Sequence, residues 1–556
     1  MEYIVLVSVI LGLLIAKGIY DKITYNKKLR NRLMEEFGKA SEEQYSPEKL
    51  NSIRSYYDDI ARNNDGLDID NITWNDLEMD DIFMLLNHTE SSVGEEVLYS
   101  LLRMPSYDGE ELAERERLIS FFQNSPKERT DVLAALSHIG KTKRFSLYAH
   151  MNTLSTLPKE SNWKHYLCII MCFLSIGSIF ILDEIGFIIF IGVTIYNFFS
   201  YFKRKGEMEA YLDSFKMLVL MLVSTKELQS ATIPELKKYI DRTEEINHHF
   251  HSFARNFWLL GSKKPTGDMF DGLMMYIRVM LHVDLIKFNR MQGTFEQKKD
   301  EIKELYQIVG YLDACCSIAS YRALFNLTCV PEIVDDENTF YSATDLYHPL
   351  IENPVANTID TKNSILITGS NASGKSTFLK SVAVAAIMAQ TVHTVNAQSY
   401  RSSRFRVFSS MALRDNFHEN ESYFVVEIKS LKRMMQPCSL PLGTLCFVDE
   451  VLRGTNTVER IAASSEVLKG IQNSKTIVFA ATHDIELTYL LEKCFVNYHF
   501  EEKVTDKEIT FDFLLREGRS QTRNAIKLLQ MLGYPEELVR NSEEKANHFL
   551  STGKWD

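Results

Sequence analysis

Three groups of polar residues in this chain have the types and spacing that phosphate chemistry needs. The first lies in ITGSNASGKSTFLK, Ile367 to Lys380, where Gly369, Gly374, Lys375 and Ser376 satisfy the pattern G-x-x-x-x-G-K-[ST]. Glycines so placed let backbone N–H groups point at phosphate oxygens, and a helix starting at the lysine adds favourable partial charge. The candidate nucleotide cradle is therefore Gly369, Ser370, Asn371, Ala372, Ser373, Gly374, Lys375, Ser376 and Thr377, with Lys375 reaching the β- and γ-phosphates of ATP and Ser376 a Mg²⁺ ion. The second group is Asp449-Glu450, which ends the apolar run Leu445-Cys446-Phe447-Val448. Beside a phosphate loop the first carboxylate holds Mg²⁺, and the second accepts a proton from the water that attacks the γ-phosphate. The third is His483, just past the run Thr476 to Ala480, where an imidazole is placed to sense the γ-phosphate. Alone, an Asp-Glu pair is most often solvated surface charge and a histidine most often structural; the apolar runs before them argue for the catalytic reading.

Positioning these groups requires strands that end together. Ile365-Leu366-Ile367 precedes the loop and the apolar-rich segment Thr377 to Gln390 follows it, giving strand, loop and helix in the required order. From about Thr328 onward, short β-rich runs (ILIT, LCFVD, TIVFAAT) alternate with helical stretches, the signature of an α/β fold with a parallel sheet. Upstream, Leu67 to about Ser155 and Glu207 to about Phe325 carry helical spacing with few glycines or prolines.

A chain of 556 residues holds more than one domain, and a formal charge of −12 argues against wrapping nucleic acid over its whole surface. Eight cysteines without a C-x-x-C pair read as buried thiols of a reducing compartment. The runs Leu167 to Leu182 and Ile185 to Phe202 are apolar and separated only by Asp183-Glu184, with Lys159 and Lys164 before and Lys203-Arg204-Lys205 after. This pattern predicts a membrane hairpin, although each run falls short of the roughly 20 residues a span prefers and a pair of core helices is the alternative. Ile4 to Ala16, followed by six basic residues up to Arg32, reads as an N-terminal anchor with its C-terminal side in the cytoplasm. A cleaved signal peptide is disfavoured by the opening MEY and by the poor cleavage context Ala16-Lys17-Gly18. The expected layout is an anchor at 1–26, a polar linker at 27–65, a helical core domain at 66–158 and 206–327 split by a hairpin at 159–205, and an ATPase domain at 328–556. The protein is expected in the membrane, with its ATPase domain in the cytoplasm.

Five ordered motifs make a resemblance specific: TGSNASGKST, ESYFVVEIKSLKRMM from Glu421, VDEVLRGTNTVERIA from Val448, ATHDIEL from Ala481, and LLREGRSQTRNAIKLLQMLGYPEELV. Together they resemble the ATPase domain of the MutS family, and the helical region with LDIDNITWNDLEM resembles that family's core and lever domain. The resemblance implies an ABC-type ATPase whose two sites are completed across a homodimer. Asn371 matches the asparagine of the family's phosphate loop, and Ser422 the signature serine that contacts the partner's γ-phosphate. Val355, beside Pro354, and Phe513, where a histidine is usual, match the groups that clamp adenine.

The departures shape the expected function. The family's N-terminal mismatch reader is expected to be missing, since an anchor and about forty polar residues stand before the core region; the DNA clamp is expected to be much reduced over residues 250 to 290, and Arg523-Asn524-Ala525 replaces an SYG-like element. The expectation is a membrane-anchored dimeric ATPase that opens and closes helical levers, with no small-molecule substrate other than ATP. DNA is a ligand by family analogy alone, bound weakly and without preference for a mismatch. The alternatives are an ABC-type transport ATPase, which the lack of an LSGGQ-like signature and of polar span residues disfavours, and a nucleotide-locked membrane scaffold.

Overall fold

The computed structural model describes residues 2–555 except 42, 64–66, 143–145, 155–160, 255–275, 277–278, 337, 371–372, 412–422, 437–441, 453–454, 505–508, 521–525, 527–528, 531–532 and 553. Side chains are further left undescribed at 2–15 and at some other positions. The chain divides into two compact units, each assembled from separated segments: Met1–Arg62 with Asn87–Ser100 and Arg117–Leu324, and Asn63–Leu86 with Leu101–Glu116 and Phe325–Asp556.

The first unit is helical. Its central helix, Lys299–Leu324, buries Leu305, Tyr306, Val309, Leu312 and Ile318 along its length. At Gly310 this helix passes so close to the Ser92–Arg103 helix that an added Cβ would come 2.3 Å from a Val97 methyl. Asp313 accepts hydrogen bonds from the Glu90 and Ser91 amides, at 3.0 and 2.9 Å, and so satisfies donors at the start of the crossing helix. Polar composition hides two packed helices in the stretch 27–65. Glu2–Glu36 runs into that stretch and buries Leu29 and Leu33, while Pro47–Ile60, capped by Ser46, buries Ile53, Tyr56 and Tyr57. Both are amphipathic here, so a few apolar positions suffice to dock a segment whose average is hydrophilic.

The apolar segment lies inside Trp163–Ser230, whose helical geometry breaks at Asp183 (φ 46°, ψ −116°). There the chain doubles back. Asn197 donates to the Cys168 carbonyl at 3.4 Å, and His165 and Tyr201, from opposite arms, both lie against His282. A contact between residues 29 positions apart, and a shared partner for His165 and Tyr201, require two antiparallel arms turning at the Asp183-Glu184 interruption. The arms leave large apolar side chains exposed, Phe180 by 84 % and Ile181 by 80 %. Among the described residues, Trp163–Gly206 is the one helical stretch long and apolar enough to cross a membrane by length and composition. The side chains of 4–15, most of the expected N-terminal anchor, lie outside the described residues.

The second unit is α/β. Its main sheet runs Arg516–Glu517, Phe495–His499, Ser364–Thr368, Thr476–Thr482, Gly443–Asp449, Phe405–Ser410, with all neighbours parallel except the first pair. Ser364–Thr368 and Thr476–Thr482 are buried throughout, as parallel strands covered on both faces must be. A four-stranded mixed sheet (Glu332–Val334, Ser399–Ser403, Tyr341–Leu346, Asn357–Thr361) and the hairpin Glu502–Val504/Ile509–Phe511 complete it. The unit also takes in Asn63–Leu86, a segment whose helical pattern groups it in sequence with the helical domain. Its short helix Asn71–Asp76 covers the sheet edge: Thr73 Oγ1 accepts from the Ser409 amide at 3.0 Å, and the Asp76 carboxylate from the Ser409 hydroxyl at 2.7 Å. An outer strand is thereby kept from pairing with other chains.

Candidate functional site

Register brings the three chemical groups to one end of the sheet. Thr368 pairs with Thr482 and Asp449 with Ala481, so the phosphate loop, the carboxylate pair and His483 all leave the sheet at the carboxyl ends of adjacent strands. Open α/β sheets place their ligands at that edge.

The loop geometry explains its glycines. Gly374 caps the helix Lys375–Thr391 with φ 105°, a left-handed backbone that residues with a Cβ avoid. At Gly369 (φ 151°) a Cβ would lie 2.8 Å from the Ser373 hydroxyl and 3.0 Å from the Phe500 carbonyl oxygen. Lys375 is buried and donates from Nζ to the carbonyls of Gly369 and Ser370 at 2.9 and 2.8 Å, folding back over its own loop. Ser370 hydrogen-bonds through its hydroxyl to the buried carboxylate of Glu502. Asn371 and Ala372 lie outside the described residues, and Ser373 is buried at the base of the loop.

Ser376 donates its hydroxyl to the Asp449 carboxylate. Two hard oxygen donors in direct contact beside a phosphate loop suit Mg²⁺, which takes few protein ligands and fills its sphere with phosphate and water oxygens. Next to Asp449, Glu450 adopts φ 56°, and its amide donates to the Ala481 carbonyl at 2.9 Å. Its Oε1 lies 2.9 Å from His483 Nε2, which is in turn 3.4 Å from Lys375 Nζ. The segment after His483 is fixed by Arg460, which grips the Asp484 carboxylate with two nitrogens, at 3.0 and 2.6 Å.

Val355 and Phe513, each 41 % exposed, line one cavity of about 470 Å³ together with Thr377 and the loop. Phe513 has φ 55°, and its ring lies 3.2 Å from where a Cβ on Gly374 would sit. Asn357, which the sequence alone does not single out, holds this arrangement: its amide nitrogen donates to the Phe513 carbonyl at 3.0 Å and its oxygen accepts from the Leu515 amide at 2.7 Å. His348 also lines the cavity; burial, aided by Lys380, lowers its imidazole to about 4, so it is neutral at pH 7 and leaves Lys375 as the cation there. Ser422 lies outside the described residues, one position before the helix Tyr423–Met434. Glu427 on that helix was also missed from sequence, although it sits within the quoted SYFVVE run.

The comparisons with known proteins cover this part of the chain. Residues 365–550 match the family model of MutS domain V. The DNA mismatch repair protein MutS of Clostridium tetani is 29 % identical over 296 residues, 50 % of this chain and 33 % of that protein. MutS of Natronomonas pharaonis is also 29 % identical, over 48 % of this chain and 32 % of its own length. MutS of Streptococcus pyogenes serotype M4 is 25 % identical over 522 residues, covering 83 % of this chain and 59 % of the relative. The chain thus spans between a third and three fifths of the length of these curated relatives.

Proposed function

We propose, from a MutS-type domain V with its three chemical groups gathered at one sheet edge, that the chain is a Mg²⁺-dependent ATPase. The observation that carries this reading is the placement of Glu450 against His483, beside Lys375 and the Ser376–Asp449 pair. Lys375 would exchange its loop carbonyls for phosphate oxygens, and Ser376 and Asp449 would hold Mg²⁺. Bound Mg²⁺ supplies neutralisation of charge on the transferring phosphoryl group. Glu450 takes the proton from the attacking water, and His483 fixes the direction of that carboxylate through their contact. Val355 and Phe513 flank the base, with Asn357 holding Phe513 in place. ATP hydrolysis by the purified protein, measured with Mg²⁺ and with chelator, tests the proposal.

Two finer parts of the proposal rest on other residues. Ser422 completes the site of a second copy, so that nucleotide closes a homodimer and moves the helical unit. The exposed apolar arms of the Asp183 hairpin support membrane attachment, because solvating them in water would leave a large apolar surface uncovered. DNA binding, if the levers close on a duplex, is weak and carried by phosphate contacts, and therefore falls steeply as salt rises.

A further inference from the structure

Immediately after the strand Gly443–Asp449 the chain makes a turn in which two residues bearing a Cβ, Glu450 (φ 56°) and Leu452 (φ 59°), take left-handed backbone conformations. Such a turn persists only where its surroundings determine it. Three successive contacts do so. The Glu450 amide donates to the Ala481 carbonyl at 2.9 Å, the Val451 carbonyl accepts from the Ser464 hydroxyl at 3.2 Å, and the Leu452 amide donates to the carboxylate of Glu427. Of the three, the last alone uses a side-chain acceptor from another helix, and a buried amide left without its acceptor costs more than the bond itself adds.

Glu427 is buried, 4 % exposed, in the middle of the helix Tyr423–Met434. That helix is itself held firmly. Leu431 and Met434 enter the same apolar cluster as Val451 and Leu452. Arg433, near its end, reaches Asp70 Oδ2 and Thr73 Oγ1, each at 3.1 Å, and the Ser409 carbonyl. A carboxylate on a helix fixed in this way is a rigid stop against which the turn rests.

We infer that Glu427 is a positioning residue for hydrolysis, holding through the Leu452 amide the left-handed turn that aims the Glu450 carboxylate at His483. The inference rests on the ATPase reading above and extends it to a residue outside the described lining of the nucleotide cavity.

The test is steady-state ATP hydrolysis and nucleotide affinity for the full chain carrying Glu427→Gln, Glu427→Ala, Leu452→Gly, and the last two combined, with thermal unfolding of each. Glu427→Gln keeps an oxygen acceptor and should retain most of kcat. Glu427→Ala should lower kcat by roughly ten- to a hundredfold while nucleotide affinity stays within about twofold. Glycine adopts the left-handed conformation without steric cost, so Leu452→Gly in the Glu427→Ala background should recover part of the loss in a double variant that thermal unfolding shows to be folded, although it vacates a buried position of the apolar cluster. A carboxylate that only packs the helix would not be rescued from position 452. If Glu427→Ala does not fold, Glu427→Met, which keeps the volume without the acceptor, replaces it in both arms. A folded acceptor-less variant with wild-type kcat, or no recovery in the double variant, overturns the inference while leaving the ATPase reading intact. Absence of hydrolysis by the unmodified protein removes the ATPase reading and the inference with it.

Discussion

Glu450 Oε1 and His483 Nε2 are 2.9 Å apart, brought together by two parallel strands in which Asp449 pairs with Ala481. One residue of register slip in either strand would separate them. The contact ties the direction of the Glu450 carboxylate to an imidazole that also lies against the phosphate-loop lysine.

His483→Ala should therefore impair turnover more than binding. We expect kcat to fall by about ten- to a hundredfold, with nucleotide affinity changed by less than about threefold. Steady-state kinetics beside a fluorescent-nucleotide titration checks this, and a loss confined to affinity would move His483 out of the hydrolytic step.

Completion of each site by a second copy is tested by mixing variants. Lys375→Ala should abolish nucleotide binding, and Ser422→Arg should stop hydrolysis by blocking the partner's site. Heterodimers of the two should regain about one working site of the two in a wild-type dimer, since one interface pairs an intact loop with an intact serine. Mixtures that demonstrably form heterodimers yet stay inactive would contradict action across the interface.

The hairpin should keep the protein with membranes through carbonate extraction. Replacing Phe173 and Leu174, exposed by 62 % and 69 % midway along the first arm, with lysine should weaken that retention, because a lysine at the centre of a span costs about 2.5–3.5 kcal/mol. Recovery of the unmodified protein in the soluble fraction would assign the arms to a protein contact instead.

The helical unit should lose stability as pH rises. Burial raises the Glu96 carboxyl from 4.5 to about 8, against hydrogen bonds from Ser146 and the Leu147 amide that lower it. A raised carboxyl binds its proton more tightly in the folded state, so its stabilising contribution is complete below about pH 4.5 and is lost as pH climbs through about 8. Glu96→Gln should flatten this decline in urea midpoints measured from pH 5 to pH 8.5. It should not abolish it, because burial also raises Asp313 to about 7. An equally steep decline in the variant would show that Glu96 is not its source.

The parts legible in the sequence were those whose chemistry is local. Lys375 and Ser376 follow from a strand, a glycine loop and a helix close together in the chain, while Asp449-Glu450 and His483 end two apolar strands. The hairpin turn at Asp183 likewise follows from two charges between two apolar runs. What stayed hidden acts through backbone groups far along the chain. Asn357 holds the carbonyl of Phe513, 156 positions away, and Glu427 the amide of Leu452, 25 away, and no side-chain pattern records a backbone partner. The assignment of Asn63–Leu86 to the α/β unit was hidden for a related reason: its helical periodicity is genuine, but Thr73 and Asp76 spend their polar groups on a distant strand edge.

The central claim, that this sheet edge hydrolyses ATP with Glu450 as the base, is tested most directly by Glu450→Gln. Purified variant and wild-type protein would be compared for Mg²⁺-ATP affinity and for single-turnover hydrolysis. The account predicts ATP binding within about threefold of wild type and a hydrolysis rate lowered by at least about a hundredfold, since the amide keeps the shape of the site but cannot take the proton. Hydrolysis by Glu450→Gln at the wild-type rate would contradict it.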